Sequence, residues 1–215
     1  MVKEKVIELQ EIKPIDMIVE IEGDSDLIIN KMNDVTVREL TSERKGKAKK
    51  VETPNKWEEI ITSVHWLEGK PDEFTEETFK EWSETKTPCV TAFGLKKSFG
   101  DAVVRNKIDT YATKFHASVN IPVSNNLVPV TFAEHFVDEK LMSPKKGAPV
   151  LSRLNRFTGW KAKIPVSFID NVFSEEQIIN IINLAGFGIG IGSGRSSGYG
   201  RYHVTGTKIA EKVGE

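Results

Sequence analysis

The run from Trp160 to Val204 constrains this chain more than any other stretch. "WKAKIPVSFID" puts Trp160, Ala162, Ile164, Val166 and Phe168 on one face, the alternation of a half-buried strand. "SEEQIINIINLAG" follows. Ser174 and Gln177 have capping-box spacing and Glu175 and Glu176 suit a first turn, so a helix starts here. Gly186 is expected to stop it in the left-handed conformation. Seven glycines then fall between Gly186 and Gly200, before "GYGRYHVTG" reads as a last strand.

Upstream, "IDMIVEIEG" (15–23) reads as a strand and "DSDLIINKMND" as a loop with apolar anchors. "PNKWEEIITSVHWLEG" predicts an amphipathic helix with Trp57, Ile60, Ile61, Val64 and Leu67 on one stripe. A short helix over Glu76–Glu84 turns Phe79 and Trp82 inward. "PCVTAFGLKKSFGDAVVRNKIDTYATKFHASVNI" opens extended and continues helically, with Leu95, Phe99 and Val103 on one stripe and Ile108, Ala112, Phe115 and Val119 on another. "NLVPVTFAE" reads as a strand, placed at an edge by Pro129. Residues 138–158 look loop-like and basic. Without the helices of 35–86, the order is strand, helix, strand, strand, helix, strand. That order predicts an α+β, ferredoxin-like (RNA-recognition-motif-like) fold: a four-stranded antiparallel sheet with two main helices on one face and the other face open. The expected organisation is one domain over 1–215, a charged helical insertion at 35–86 and a glycine-rich loop at 186–201.

The net charge of −1 argues against a bulk nucleic-acid binder, but its distribution is uneven. Residues 140–210 hold ten Lys/Arg against three acids, a net +7, which leaves −8 for the rest. Such a split suggests one basic face. "RKGKAKK" (44–50) adds a second basic run, read as a solvated loop or a phosphate-contacting one. One cysteine, Cys89, excludes an internal disulfide and a multi-cysteine zinc site. No apolar run has the length of a membrane helix, and "MVKEKVIELQ" is charged where a signal peptide would be apolar, so a cytoplasmic location is expected.

The glycines fit no nucleotide fingerprint. No Gly triplet has the i, i+2, i+5 spacing of a dinucleotide site, and the P-loop Gly-Lys-Ser/Thr is missing. "GRSSG" matches G-x-S-x-G, but it joins helix to strand, whereas a nucleophile elbow joins strand to helix. What remains is backbone chemistry: glycine lets a phosphate come close, and runs of N–H groups form anion-binding hollows. Gly190, Gly192, Gly194, Arg195, Ser196 and Arg201 become candidate backbone contacts, with Tyr199 as a stacking surface.

"GIGSGRSSGYGRYHV", after a capped helix and before a final strand, resembles the C-terminal glycine-rich loop of the RAMP superfamily, proteins that form backbone and processing subunits of CRISPR effector complexes. "PCVTAFGLKKSFGDAVVR" is similar to the segment in backbone subunits where a turn leads into a "SLKG-x-x-R"-like helix, with altered spacing. "RLNRFTGWKAKIPVSF…IINIINLAGFGIGIG" together with "GDSDLII" resembles a group of small bacteriophage proteins. The resemblance covers roughly residues 15–30, 88–118 and 150–205 and has no counterpart for 35–86. It implies a core that grips a single strand of RNA or DNA and stacks along it as a homo-oligomer or filament, in the host cytoplasm if phage-encoded. It adds Lys96, Lys97, Arg105, Arg153 and Arg156 as phosphate contacts and Trp160 as a stacking residue.

Some RAMP proteins cleave RNA, which directs attention to His135 as general base and to Asp24 and Asp26 after the first strand. No pair of histidines has the spacing of a site, so no catalytic residue, metal or cofactor is assigned. Three functions stay open: a non-catalytic single-strand binder, a protein-interaction module (anti-defence or assembly) acting through residues 57–82, and a metal-independent RNA endonuclease.

Overall fold

A computed structural model describes residues 12–43, 55–142 and 150–209. The basic run at 44–50 lies outside the described residues. In chain order the elements are β1 (Pro14–Gly23), β2 (Leu27–Ile29), α1 (Asp34–Glu43), α2 (Lys56–Thr62), β3 (His65–Trp66), α3 (Glu76–Thr85), β4 (Pro88–Thr91) and α4 (Ala92–Arg105). The second half adds α5 (Thr113–Ser118), β5 (Val119–Asn120), β6 (Leu127–Thr131), β7 (Glu134–Met142), β8 (Val150–Thr158), β9 (Lys161–Ile169), α6 (Glu175–Gly188) and β10 (Tyr202–Ile209).

The protein is α+β with antiparallel sheets. The main sheet runs β10-β1-β9-β6-β4-β3, with β5 also against β9. Four of its strands, β10, β1, β9 and β6, keep the order of a ferredoxin-like sheet, with α4 and α6 as the two crossovers, and β4 and β3 extend it beyond the four strands expected. Alternation does the sorting. Met17, Val19 and Ile21 of β1 and Ala162, Ile164, Val166 and Phe168 of β9 point to one face and are buried. Leu95, Phe99 and Val103 of α4 and Ile178, Ile181, Ile182 and Ala185 of α6 close over them. At roughly 2 kcal/mol for each buried side chain, this layer is a large share of the apolar driving force.

Four expectations are corrected. Residues 138–158 are not a loop: the described part forms most of the β7–β8 hairpin, which pairs with β2 in a second three-stranded sheet. Gly186 does not end its helix. It lies inside α6, packed so closely on the Tyr202 main chain that a Cβ could not fit, and the helix runs to Gly188. The helix from Trp57 stops at Thr62, because Ser63 caps it and His65–Trp66 pair with Pro88 and Cys89, which leaves Leu67 exposed. Pro129 is not at an edge: β6 runs between β9 and β4, and β9 meets only Val130 and Thr131.

Candidate nucleic-acid interface

The open face of the main sheet was expected to help hold a strand. Its outward positions include Asp16, Ile18, Glu20 and Glu22 on β1, Lys161, Lys163, Pro165 and Ser167 on β9, and His203, Thr205 and Lys208 on β10. None is Phe, Tyr or Trp, and the one ring there is the His203 imidazole, hydrogen-bonded to Asp24 at 2.7 Å. The lysines are paired: Lys161 with Glu22 at 3.0 Å, and Lys163 with Glu20 at 3.1 Å. The Glu20 carboxyl is held below its usual pKa chiefly by the Lys163 hydrogen bond. This face is charge-balanced and does not attract a polyanion.

The glycine-rich loop turns away from that face and crosses β2. The Ser193 amide donates to the Ile28 carbonyl at 2.8 Å, the Gly200 amide to the Asp26 carbonyl at 2.8 Å, and the Arg201 amide to Ser25 Oγ at 2.9 Å. Ser98 Oγ of α4 donates to the Gly190 carbonyl at 2.9 Å. Gly192 and Gly200 both have positive φ (72° and 69°), and each lies so close to another carbonyl that a side chain would collide. Most glycines here therefore serve main-chain contact inside the protein. Among the described residues, the amides of Gly194, Arg195 and Ser196 donate to no protein acceptor. They sit at a turn that begins with left-handed Gly194, the geometry of a small anion-binding concavity.

Along this turn runs a groove whose other wall is α4. Lys97, Asp101 and Arg105 recur every four residues, so they share one helix face, and all three line it. The groove has two hollows whose linings share Gly192, Ser193 and Arg195. One, of about 470 Å³, is lined by Asp101, Arg105, Gly194, Arg195, Ser196 and Arg201. The other, of about 220 Å³, reaches Lys31, His65 and Lys97. Five cations thus face one carboxylate. Arg201 Nη2 reaches the Arg195 carbonyl at 3.4 Å, while its Nη1 is buried with no partner among the described residues. A buried guanidinium nitrogen of this kind needs an acceptor.

The other predicted contacts are dispersed. Lys96 leaves the groove and donates to Asn120 Oδ1 at 3.0 Å. Arg153 is held by Glu59 and Glu139, and Arg156 by Asp26 and Asp138. Each of those arginines meets two carboxylates, which neutralises it toward phosphate. Tyr199 lies under Arg156 and Lys140, and its ring packs against Gly194. Trp160 is fully buried, with Nε1 donating to the Ser25 carbonyl at 2.7 Å: it is a core residue, not a stacking surface.

Both ring nitrogens of His135 are occupied. The ring is stacked on Phe157, one ring nitrogen meets Asn155 Oδ1 at 2.8 Å and the other Ser83 Oγ at 2.9 Å. Burial pushes its pKa down to about 4. Asp24 pairs with His203 Nδ1 at 2.7 Å and Asp26 with Arg156, so neither stands as a free acid. No group of three metal-ligating side chains occurs among the described residues. In the 57–82 segment, Trp57 stacks on Phe79, and Glu58 and Glu59 are paired within the chain to Arg38 and Arg153.

Three residues near the groove were not singled out from the sequence. Lys31 lines it just after β2. Phe93, one turn before Lys97 on α4, is 71% exposed, and Phe187, next to groove-lining Gly188, is 84% exposed. Both aromatics fall off the buried stripes of their helices, which is the signal that could have marked them.

No protein-family model matches the chain, and no curated protein matches it. Solved structures do. One is a chain in the cryo-EM structure of the Type III-B Cmr-beta bound to cognate target RNA, with 12% identity over 92% of this chain and 61% of that one, at a TM-score of 0.48. This chain therefore spans about three-fifths of that protein's length. Another is Cmr6 from Pyrococcus furiosus, with 10% identity over 89% of this chain and 98% of that one, at a TM-score of 0.42.

Proposed function

We propose that this protein binds single-stranded nucleic acid by its sugar–phosphate backbone, in the groove between α4 and the glycine-rich loop, without cleaving it. The observation that carries the reading is the concentration of Lys31, Lys97, Arg105, Arg195 and Arg201 along one groove against the single carboxylate of Asp101. Unpaired amides at Gly194–Ser196 and the buried Arg201 Nη1 supply donors that an anionic oxygen would satisfy. Phe93 and Phe187 offer rings to bases on the solvent side. The likeness of the loop to that of RAMP proteins favours RNA over DNA, and the same reading has several copies lining a long strand.

The test is fluorescence anisotropy with labelled 20-nucleotide RNA and DNA across a salt series. Binding at low salt that weakens linearly in log–log form supports it. Absence of binding to both strands at low salt removes it. Mass photometry on a longer strand reads whether copies accumulate.

A further inference from the structure

We infer that the smaller hollow of the groove receives one nucleobase turned inward from the strand; this rests on the nucleic-acid reading above. The hollow lies between the end of β2, the β4–α4 corner and the glycine-rich loop. Its floor is apolar: Ile29, Val90, Leu95 and Ile191 are each almost fully buried. Its rim is polar, with Asn30, Lys31 and His65 on one side and Lys97 and Arg195 on the other. An apolar slot with a few polar groups converging on its mouth is the form of a small-molecule site. At about 220 Å³ it is smaller than the pockets of drug-sized ligands, roughly 300–1,000 Å³. That suits a single flat heterocycle and not a whole dinucleotide.

Position decides what enters. Gly192, Ser193 and Arg195 line both hollows, so a phosphate held at Arg195 brings its own sugar to the mouth of the smaller one. His65 lines the slot, and its imidazole has no hydrogen-bond partner among the described residues. Burial, helped by Lys31, holds its imidazole below the usual pKa, so at neutral pH it offers one donor and one acceptor. Those groups match a base edge. A simple anion would use the cations and leave the apolar floor uncovered.

The experiment compares a 20-nucleotide RNA with a strand of the same length carrying abasic sugars throughout, using wild-type protein and the variants His65→Ala, Asn30→Ala and Arg195→Ala. The wild type binds the base-bearing strand at least about a hundredfold more tightly than the abasic one, since the slot and the exposed rings of Phe93 and Phe187 all act on bases. His65→Ala and Asn30→Ala each cut that ratio by about tenfold, whereas Arg195→Ala weakens both strands and keeps the ratio. Photocrosslinking with 4-thiouridine in the RNA maps to the peptides around Ile29–Lys31 or His65. A ratio unchanged in both slot variants, or equal binding of both strands by the wild type, overturns the slot and leaves the backbone reading standing. Failure of either strand to bind overturns both.

Discussion

Gly192 passes beneath Ile28 so closely that a Cβ on the glycine would fall inside the shell of the Ile28 carbonyl oxygen, the same oxygen that accepts the Ser193 amide at 2.8 Å. One contact therefore fixes the height of the loop above β2 and, through Arg195, the width of the groove.

Three alanine substitutions separate the roles of the glycines. Gly192→Ala meets both positive φ and a main-chain clash, and should cost about 2–4 kcal/mol or displace the loop. Gly198→Ala has positive φ (88°) but open space, and should cost about 1 kcal/mol. Gly188→Ala, in α6 with nothing near its Cβ, should stabilise by about 0.5–1 kcal/mol. Urea denaturation of the three variants checks the order, and a stable Gly192→Ala protein would contradict it.

His135 makes stability depend on pH. Its folded pKa of about 4 lies below the ordinary 6.5, so between those values the unfolded chain binds a proton that the folded chain refuses. Its contribution is complete above about pH 6.5 and falls as pH drops toward 4, by about 3 kcal/mol. His65 and His116, also lowered, add in the same direction. Denaturation midpoints from pH 4.5 to 7.5 should show this slope, and His135→Phe should flatten it. The same variant should leave RNA as intact after incubation as the wild type does.

The arginines should divide into two groups. Arg105→Ala and Arg195→Ala should each lower the slope of log K against log salt by about one. Arg153→Ala should leave that slope in place and instead reduce stability, since it strands Glu59, whereas Glu139 keeps Lys56. Equal slopes for all three would mean that the groove is not the phosphate path.

Phe93→Ala and Phe187→Ala should weaken strand binding by about 1–3 kcal/mol each without lowering the melting temperature, because both rings lie mostly in water. Loss of stability instead would mark them as packing residues.

The legible parts of this chain were those where one physical signal acts alone. β9 alternates cleanly because one side is core and the other water, and Ser174 with Gln177 forms the capping box its spacing promised. The β7–β8 hairpin was hidden because ion pairs occupy both of its faces, Arg156 with Asp138 on one and Arg153 with Glu139 on the other. In sequence those residues look like loop charges. The same ambiguity affected Arg153 and Arg156 as phosphate contacts: a basic residue does not announce that two acids wait opposite. Glycine composition correctly marked a place of close main-chain approach. It could not say that the approaching chain would be mostly the protein's own, at Ile28 and Asp26.

The seams that shape the groove join distant parts of the polypeptide. Ser25 Oγ donates to the Gly198 carbonyl across 173 residues, and the Asp24 amide meets the Arg201 carbonyl beside it. During synthesis β1 emerges early and must wait for β9 and β10, so nothing upstream can assemble this cleft ahead of time. A half-made chain on the ribosome therefore lacks this cleft, whose last wall arrives only once Arg201 has cleared the exit tunnel.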